Sequence, residues 1–190
     1  MDKGRILLIN GPSSAGKTTL AWGLQTNAPG YWYWLPFDYF LDAVPSQLWD
    51  DDESQGFRTA YNLYNGCVKL ISDQGKDIIV DTVMYSKDSL ISFADVFHDY
   101  NVIMIKVICP VEELNRREIQ RGDRDIGLAA SQIKHMESKV NYDLIIDTHA
   151  HSLEECTRQI IKLLNNPYGV FSSFALLITN LERWMNPIIL

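Results

Sequence analysis

Residues 11–18 read Gly11-Pro-Ser-Ser-Ala-Gly-Lys-Thr18, and the apolar run Arg5-Ile-Leu-Leu-Ile-Asn10 leads straight into them. The spacing is G-x-x-x-x-G-K-[ST], the signature of a loop that cradles phosphates. Gly11 and Gly16 permit the torsions that curl the chain so that its N–H groups point inward, where a Cβ would obstruct. Lys17 then reaches the β- and γ-phosphates, and the Thr18 hydroxyl can ligate Mg²⁺. "KTTLAWGLQ" reads as the helix that starts there, adding its dipole and free N–H groups. Gly11, Ser13, Ser14, Ala15, Gly16, Lys17, Thr18 and Thr19 are therefore the expected nucleotide contacts.

Outward from the loop, short apolar runs alternate with helix-like ones. "RILLIN", "YWYWLPF", "DIIVD", "NVIMIKVIC" and "YDLIID" read as strands, separated by "FRTAYNLYNGCVKLIS", "SLISFADVF", "VEELNRREIQ", "LAASQIKHMES" and "SLEECTRQIIKLL". The strands are continuously apolar, as expected when helices cover both faces of a parallel sheet. The fold class is α/β: a three-layer P-loop kinase-type fold with a mostly parallel five-stranded sheet. Residues 46–56, "SQLWDDDESQG", read as the most loop-like insertion.

Composition narrows the function. The chain has 190 residues, 46% hydrophobic, with a net charge of −7. That charge argues against a sequence-independent grip on nucleic acid or anionic lipid, since both need clustered Lys and Arg. Cys67, Cys109 and Cys156 are odd in number and far apart, as in reduced thiols of a cytoplasmic protein.

In such sheets ligands bind beyond the carboxyl ends of the strands. Asp38 follows the second strand and Asp81 the third. Asp81 suits a Walker-B role in the Mg²⁺ shell, in competition with a helix cap or turn. A GTPase switch would carry D-x-x-G and N-K-x-D, and neither occurs. A small kinase remains, which needs an acceptor site, a base and a cationic lid. In "NRREIQRGDRDIG", Arg117 and Arg121 share a helical face, Gly122 can end the helix and Arg124 lies just beyond, so these arginines are the candidate lid; a solvated basic helix end is the competing reading.

No lysine or arginine occurs from Thr18 through Phe57, so nothing there would clamp an anionic acceptor. Between Tyr31 and Phe40, by contrast, seven of ten residues are aromatic: Tyr31, Trp32, Tyr33, Trp34, Phe37, Tyr39 and Phe40. Alternate members of a strand belong to the core, so about half of them can line a pocket. The expected acceptor is a small neutral alcohol, apolar or aromatic in part; the acidic run 50–53 keeps a cationic acceptor open. Asp38 is the candidate base, with helix N-cap as its other reading; Asp42, one turn later, reads more as structural.

"LINGPSSAGKTTL", "FDYFLDAVP", "DIIVDTV", "REIQRGDRDIGLAASQ" and "VNYDLIIDTHAHSLEEC" together resemble the chloramphenicol 3-O-phosphotransferase family, in the same order and at similar spacing, from about Arg5 to Leu164. The resemblance implies transfer of the γ-phosphoryl group of ATP, with Mg²⁺, to a hydroxyl of chloramphenicol, which inactivates the antibiotic. It implies a phosphate loop at Gly11–Thr18, a base at Asp38, a strand-end carboxylate at Asp81, and lid arginines Arg121 and Arg124 supported by Arg117. Thr148 falls where related small kinases pass near the adenine. The family often shows two acids after the third strand, whereas this chain has Asp81-Thr82. A metabolite or nucleoside kinase using the same site is the alternative, as is an ATP-binding regulatory protein.

His149 and His151 read as a loop beside the nucleotide rather than a metal pair, since no third ligand is apparent. The domain is expected to span residues 1–165, followed by a C-terminal extension, 166–190. There Val170, Phe171, Phe174, Leu177, Ile178, Leu181, Trp184 and Met185 recur at helical spacing. Asn180, Glu182 and Arg183 interrupt this face too early for a membrane span. The face can dock on its own domain, form a homodimer or lie on a membrane surface.

Overall fold

A computed structural model describes residues 2–84, 86–136, 140–165 and 173–185, with side chains of the last helix described through Thr179. The strands are β1 (Ile6–Asn10), β2 (Trp32–Pro36), β3 (Asp77–Thr82), β4 (Val102–Ile108) and β5 (Leu144–Asp147). The helices are α1 (Lys17–Asn27), α2 (Asp38–Ala43), α3 (Ser46–Asp51), α4 (Glu53–Asp73), α5 (Lys87–Phe97), α6 (Val111–Arg121), α7 (Leu128–His135), α8 (Leu153–Leu164) and α9 (Ser173–Met185).

All strand pairs are parallel, in the order β2-β3-β1-β4-β5. Every residue of β1 is buried because both its faces are covered. Ile6 and Leu8 join Ile78, Val80 and Met104 in one core layer, with Tyr64, Val68, Phe93 and Phe97 from α4 and α5. Leu7 and Ile9 join Ile79, Ile103 and Ile105 in the other, with Leu20 and Leu24 from α1 and Ile160 and Leu164 from α8. This two-sided burial accounts for the continuously apolar strands. Strand order reverses at β1, which has β3 on one side and β4 on the other, so a crevice opens beyond its carboxyl end. The phosphate loop leaves β1 there.

Residues 46–56, expected as a loop, form α3 and the start of α4 instead. The acidic run misleads because it serves helix ends. Asp52 is the N-cap of α4 and accepts a hydrogen bond from Gln55 N at 3.0 Å, and Glu53 lies in the first turn. Gly56 lets α4 pack against Trp49, whose Cε3 would lie 2.5 Å from an added Cβ.

Helix α9 docks on its own domain: Phe174 and Leu177 are buried in the layer shared with α5 and β4, and Phe174 meets Phe93 edge-on. Val170 and Phe171 lie outside the described residues, as do the side chains of Leu181, Trp184 and Met185. Phe174→Ala is expected to lower stability by about 3 kcal/mol, since it removes a ring from a filled site. Urea unfolding checks this, and an unchanged midpoint would mean that α9 adds nothing to the core. No described helix is long and apolar enough to cross a membrane.

Candidate active site

The loop after β1 is shaped by two close constraints. At Gly11 a Cβ would lie 2.5 Å from the carbonyl oxygen of Val107 on β4, a backbone neighbour with little room to move. Gly16 sits at φ 89° and Ser14 at φ 59°, so the chain turns through left-handed conformations on the way into α1. Among the described residues, the N–H groups of Ser14, Gly16, Lys17 and Thr18 have no protein acceptor. A row of unpaired donors at a helix start is a site for an anion.

Lys17 is buried among these donors and gives one hydrogen bond to Pro12 O at 2.9 Å, leaving its other protons for a ligand. Burial lowers its pKa, against the opposing pull of the Asp81 and Asp38 carboxylates. Thr18 Oγ1 donates to Asp81 Oδ2 at 2.8 Å. Asp81 is 5% exposed, and burial raises its pKa, although Lys17 and the Thr18 hydroxyl pull it down. The adjacent hydroxyl and carboxylate oxygens fit the hard-oxygen preference of Mg²⁺.

The outside of the loop is braced. Arg117 donates to Ser14 O at 3.3 Å, to Thr148 Oγ1 at 3.3 Å and to Thr148 O at 3.1 Å. Thr148 Oγ1 in turn donates to Ala15 O at 2.7 Å. Glu113 accepts from Arg117 Nε at 2.8 Å, and bonds from Arg116 and Arg117 pull its pKa down to about 2. Arg117 and Thr148 therefore grip the loop's outward carbonyls while also lining the cavity. Gly11 and Ala15 do not line it: Gly11 packs on β4, and the N–H of Ala15 turns back to Pro12 O.

The lid region runs from the end of α6 to α7. Gly122, at φ 69°, ends α6, and Arg121 forms a two-bond pair with Asp123. Arg124 Nη2 donates to Asp38 Oδ2 at 2.7 Å, across 86 residues of sequence. Asp38 opens α2, and its carboxylate faces the lid rather than capping a backbone N–H. The lid loop is closed from beneath by Glu118, which is fully buried and accepts from Gly127 N at 2.7 Å and Ala129 N at 2.8 Å. Gln132 Oε1 accepts from Ser13 N at 2.7 Å, joining α7 to the phosphate loop.

These groups surround one cavity of about 1170 Å³. Ser13, Ser14, Gly16, Lys17, Thr18, Thr19, Asp38, Asp81, Arg117, Arg121, Arg124 and Thr148 all line it. Past Asp38 the wall is aromatic: Trp34, Phe37 and Tyr39 from the expected run, with Phe57 and Tyr61 one turn apart on α4. The rest of the run goes elsewhere. Trp32 enters the core, Phe40 packs on Tyr64, and Tyr31 and Tyr33 are exposed. Asp42 is exposed and outside the cavity. His149 N and Ala150 N donate to Asp147 Oδ1 in the turn before α8, and no group of three metal-ligating side chains occurs among the described residues.

Sequence reasoning missed Glu118 and Gln132. The signal for Glu118 was available: it follows Leu114 by four residues, on the face of α6 that the fold buries. Asn10 was missed as well. Its side chain accepts from Met84 N at 2.8 Å and donates to Tyr142 Oη at 2.9 Å, holding two loops beside the crevice.

The profile of the chloramphenicol phosphotransferase-like protein family matches residues 4–165. Two curated relatives from strains of Mycobacterium tuberculosis, each named "Putative O-phosphotransferase", are 28% identical over 184 residues, covering 84% of this chain and 82% of theirs. Among solved structures, the M. tuberculosis APS kinase CysC in complex with AMPPNP and APS aligns at TM-score 0.63 with 15% identity, over 87% of this chain and all of that one. A gluconokinase from Sinorhizobium meliloti aligns at TM-score 0.59 with 14% identity, over 96% of this chain and 97% of that one. The tunicamycin resistance protein of Deinococcus radiodurans aligns at TM-score 0.62 with 16% identity, over 85% and 96%. These likenesses establish the P-loop kinase fold. The profile match, which runs across the phosphate loop, the lid and the last strand, shows that this chain belongs to the chloramphenicol phosphotransferase-like protein family.

Proposed function

We propose that the protein transfers the γ-phosphoryl group of ATP to a hydroxyl of a small neutral molecule, chloramphenicol-like in having an aromatic or apolar body. The observation that carries this reading is the position of Asp38. It lines the cavity with the phosphate loop and an aromatic wall, and every described lysine or arginine lining that cavity belongs to the loop, to its brace Arg117 or to the lid. An anionic acceptor would face no dedicated cation there.

In this reading the N–H groups of the loop and Lys17 bind the phosphates, and Arg121 and Arg124 bring positive charge over the group in transfer. Thr18 and Asp81 would hold Mg²⁺, which neutralises charge on the phosphate oxygens when bound. Asp38 leaves Arg124 to accept the proton of the attacking hydroxyl. Adenine suits the far end, near Thr148, His151, Leu153 and Cys156, because guanine would call for a carboxylate and none lines that end among the described residues. Residues 1–165 would form the kinase unit and 166–190 a C-terminal extension that carries α9. The free, buried Cys109 and Cys156 fit a reducing cytoplasm.

Acceptor-dependent ADP release tests the reading. Chloramphenicol or other uncharged alcohols are expected to stimulate it, while acceptors carrying phosphate or sulfate do not. Stimulation by the anionic acceptors alone would overturn the assignment.

A further inference from the structure

Helix α7 presents Leu128, Ser131, Gln132 and His135 to the cavity, the i, i+3, i+4, i+7 face of a helix. On that face, Gln132 reaches the phosphate loop itself through the 2.7 Å bond from Ser13 N. A backbone N–H can only donate, so the amide orientation is fixed: the oxygen is on the loop and the NH₂ points away from it. That NH₂ has no partner among the described residues. Ser13 lies early in the loop, four residues before Lys17. Arg124, four residues before α7, rests on Asp38. Gln132 thus lines, from the lid helix, the same cavity as the phosphate loop and Asp38, and it is bonded to the loop.

We infer that Gln132 is a contact for the γ-phosphoryl group: anchored through Oε1 to the Ser13 N–H, it donates from Nε2 to a γ-phosphate oxygen and so distinguishes a triphosphate from a diphosphate. The inference rests on the kinase reading above. A neutral amide suits this place, because it adds a directed donor without adding to the charge of Lys17, Arg121 and Arg124. It also ties the lid helix to the presence of the group to be transferred, through a residue that holds the loop by the Ser13 N–H.

Calorimetric titration of the full chain with MgADP and with the Mg²⁺ complex of AMPPNP, for wild type, Gln132→Ala and Gln132→Glu, tests this. Gln132→Ala is expected to lose roughly tenfold or more in AMPPNP affinity while MgADP affinity changes by less than about threefold. Gln132→Glu keeps the acceptor for Ser13 N–H but aims an anion at the phosphate, so it should lose AMPPNP affinity at least as strongly. A purely structural brace predicts the opposite pattern: equal losses for both nucleotides in Gln132→Ala and near-normal binding in Gln132→Glu. Either that pattern or an unchanged AMPPNP affinity overturns the inference while leaving the nucleotide site intact. Failure of the wild type to bind either nucleotide would remove the kinase reading itself.

Discussion

Asp38→Asn is expected to bind MgATP within about threefold of wild type and to lose acceptor phosphorylation by roughly 10²- to 10⁴-fold, the contribution usual for a general base. The substitution keeps the size and the hydrogen-bonding oxygen of the side chain but removes its ability to take a proton. Folding should be little affected. The Asp38–Arg124 pair has side chains 61% and 32% exposed, and ion pairs so open to water contribute little to stability. Loss of nucleotide binding together with turnover would assign Asp38 to the lid's architecture instead, and full activity would remove it as the base.

The second large effect belongs to Glu118. Glu118→Ala deletes a fully buried carboxylate and strands the N–H groups of Gly127 and Ala129. Each orphaned buried donor costs about 1–3 kcal/mol, so a loss of roughly 2–5 kcal/mol is expected in denaturant unfolding. Glu118→Gln, which retains a carbonyl oxygen but not both acceptors, should recover part of it. The functional consequence follows from position: the turn that Glu118 holds lies between Arg124 and α7, so the same variants should weaken ATP binding by disordering the lid. A stability change below about 0.5 kcal/mol would show that the lid turn is held by something else.

How legible the molecule was depended on how local the signal is. Each of the five strands is a short apolar run closed by a polar residue or turn, and in the inner strands β1, β3 and β4 two-sided burial leaves that imprint without reference to distant residues. The phosphate loop is equally local, since glycine torsions and lysine spacing lie within eight consecutive residues. The aromatic run was half legible: strand alternation puts Trp32 and Trp34 on one face and the exposed Tyr33 on the other, with Trp34, nearer the carboxyl end, reaching the cavity, but nothing near it in sequence announces Phe57 and Tyr61.

What stayed hidden is long-range or carried by polar residues serving helix ends. Arg124 on Asp38 and Gln132 on Ser13 join residues 86 and 119 positions apart, and no local periodicity encodes such pairs. "WDDDES" looks like a solvated loop because acids are abundant there, yet Asp52 and Glu53 are where a helix N-terminus favours them. Arg117 looked like a lid cation, and its bonds to Ser14 O and Thr148 add a bracing role that only the tertiary contact reveals.

The most direct test of phosphoryl transfer to a hydroxyl is mass spectrometry of a panel of hydroxyl compounds, led by chloramphenicol, incubated with MgATP and either wild type or Asp38→Asn. At least one compound is expected to gain a single phosphoryl group in step with ADP formation by the wild type, and to stay unmodified with the variant. Nucleotide binding with no compound gaining mass, and ADP released at the same rate whether or not any alcohol is present, would contradict phosphoryl transfer to a hydroxyl.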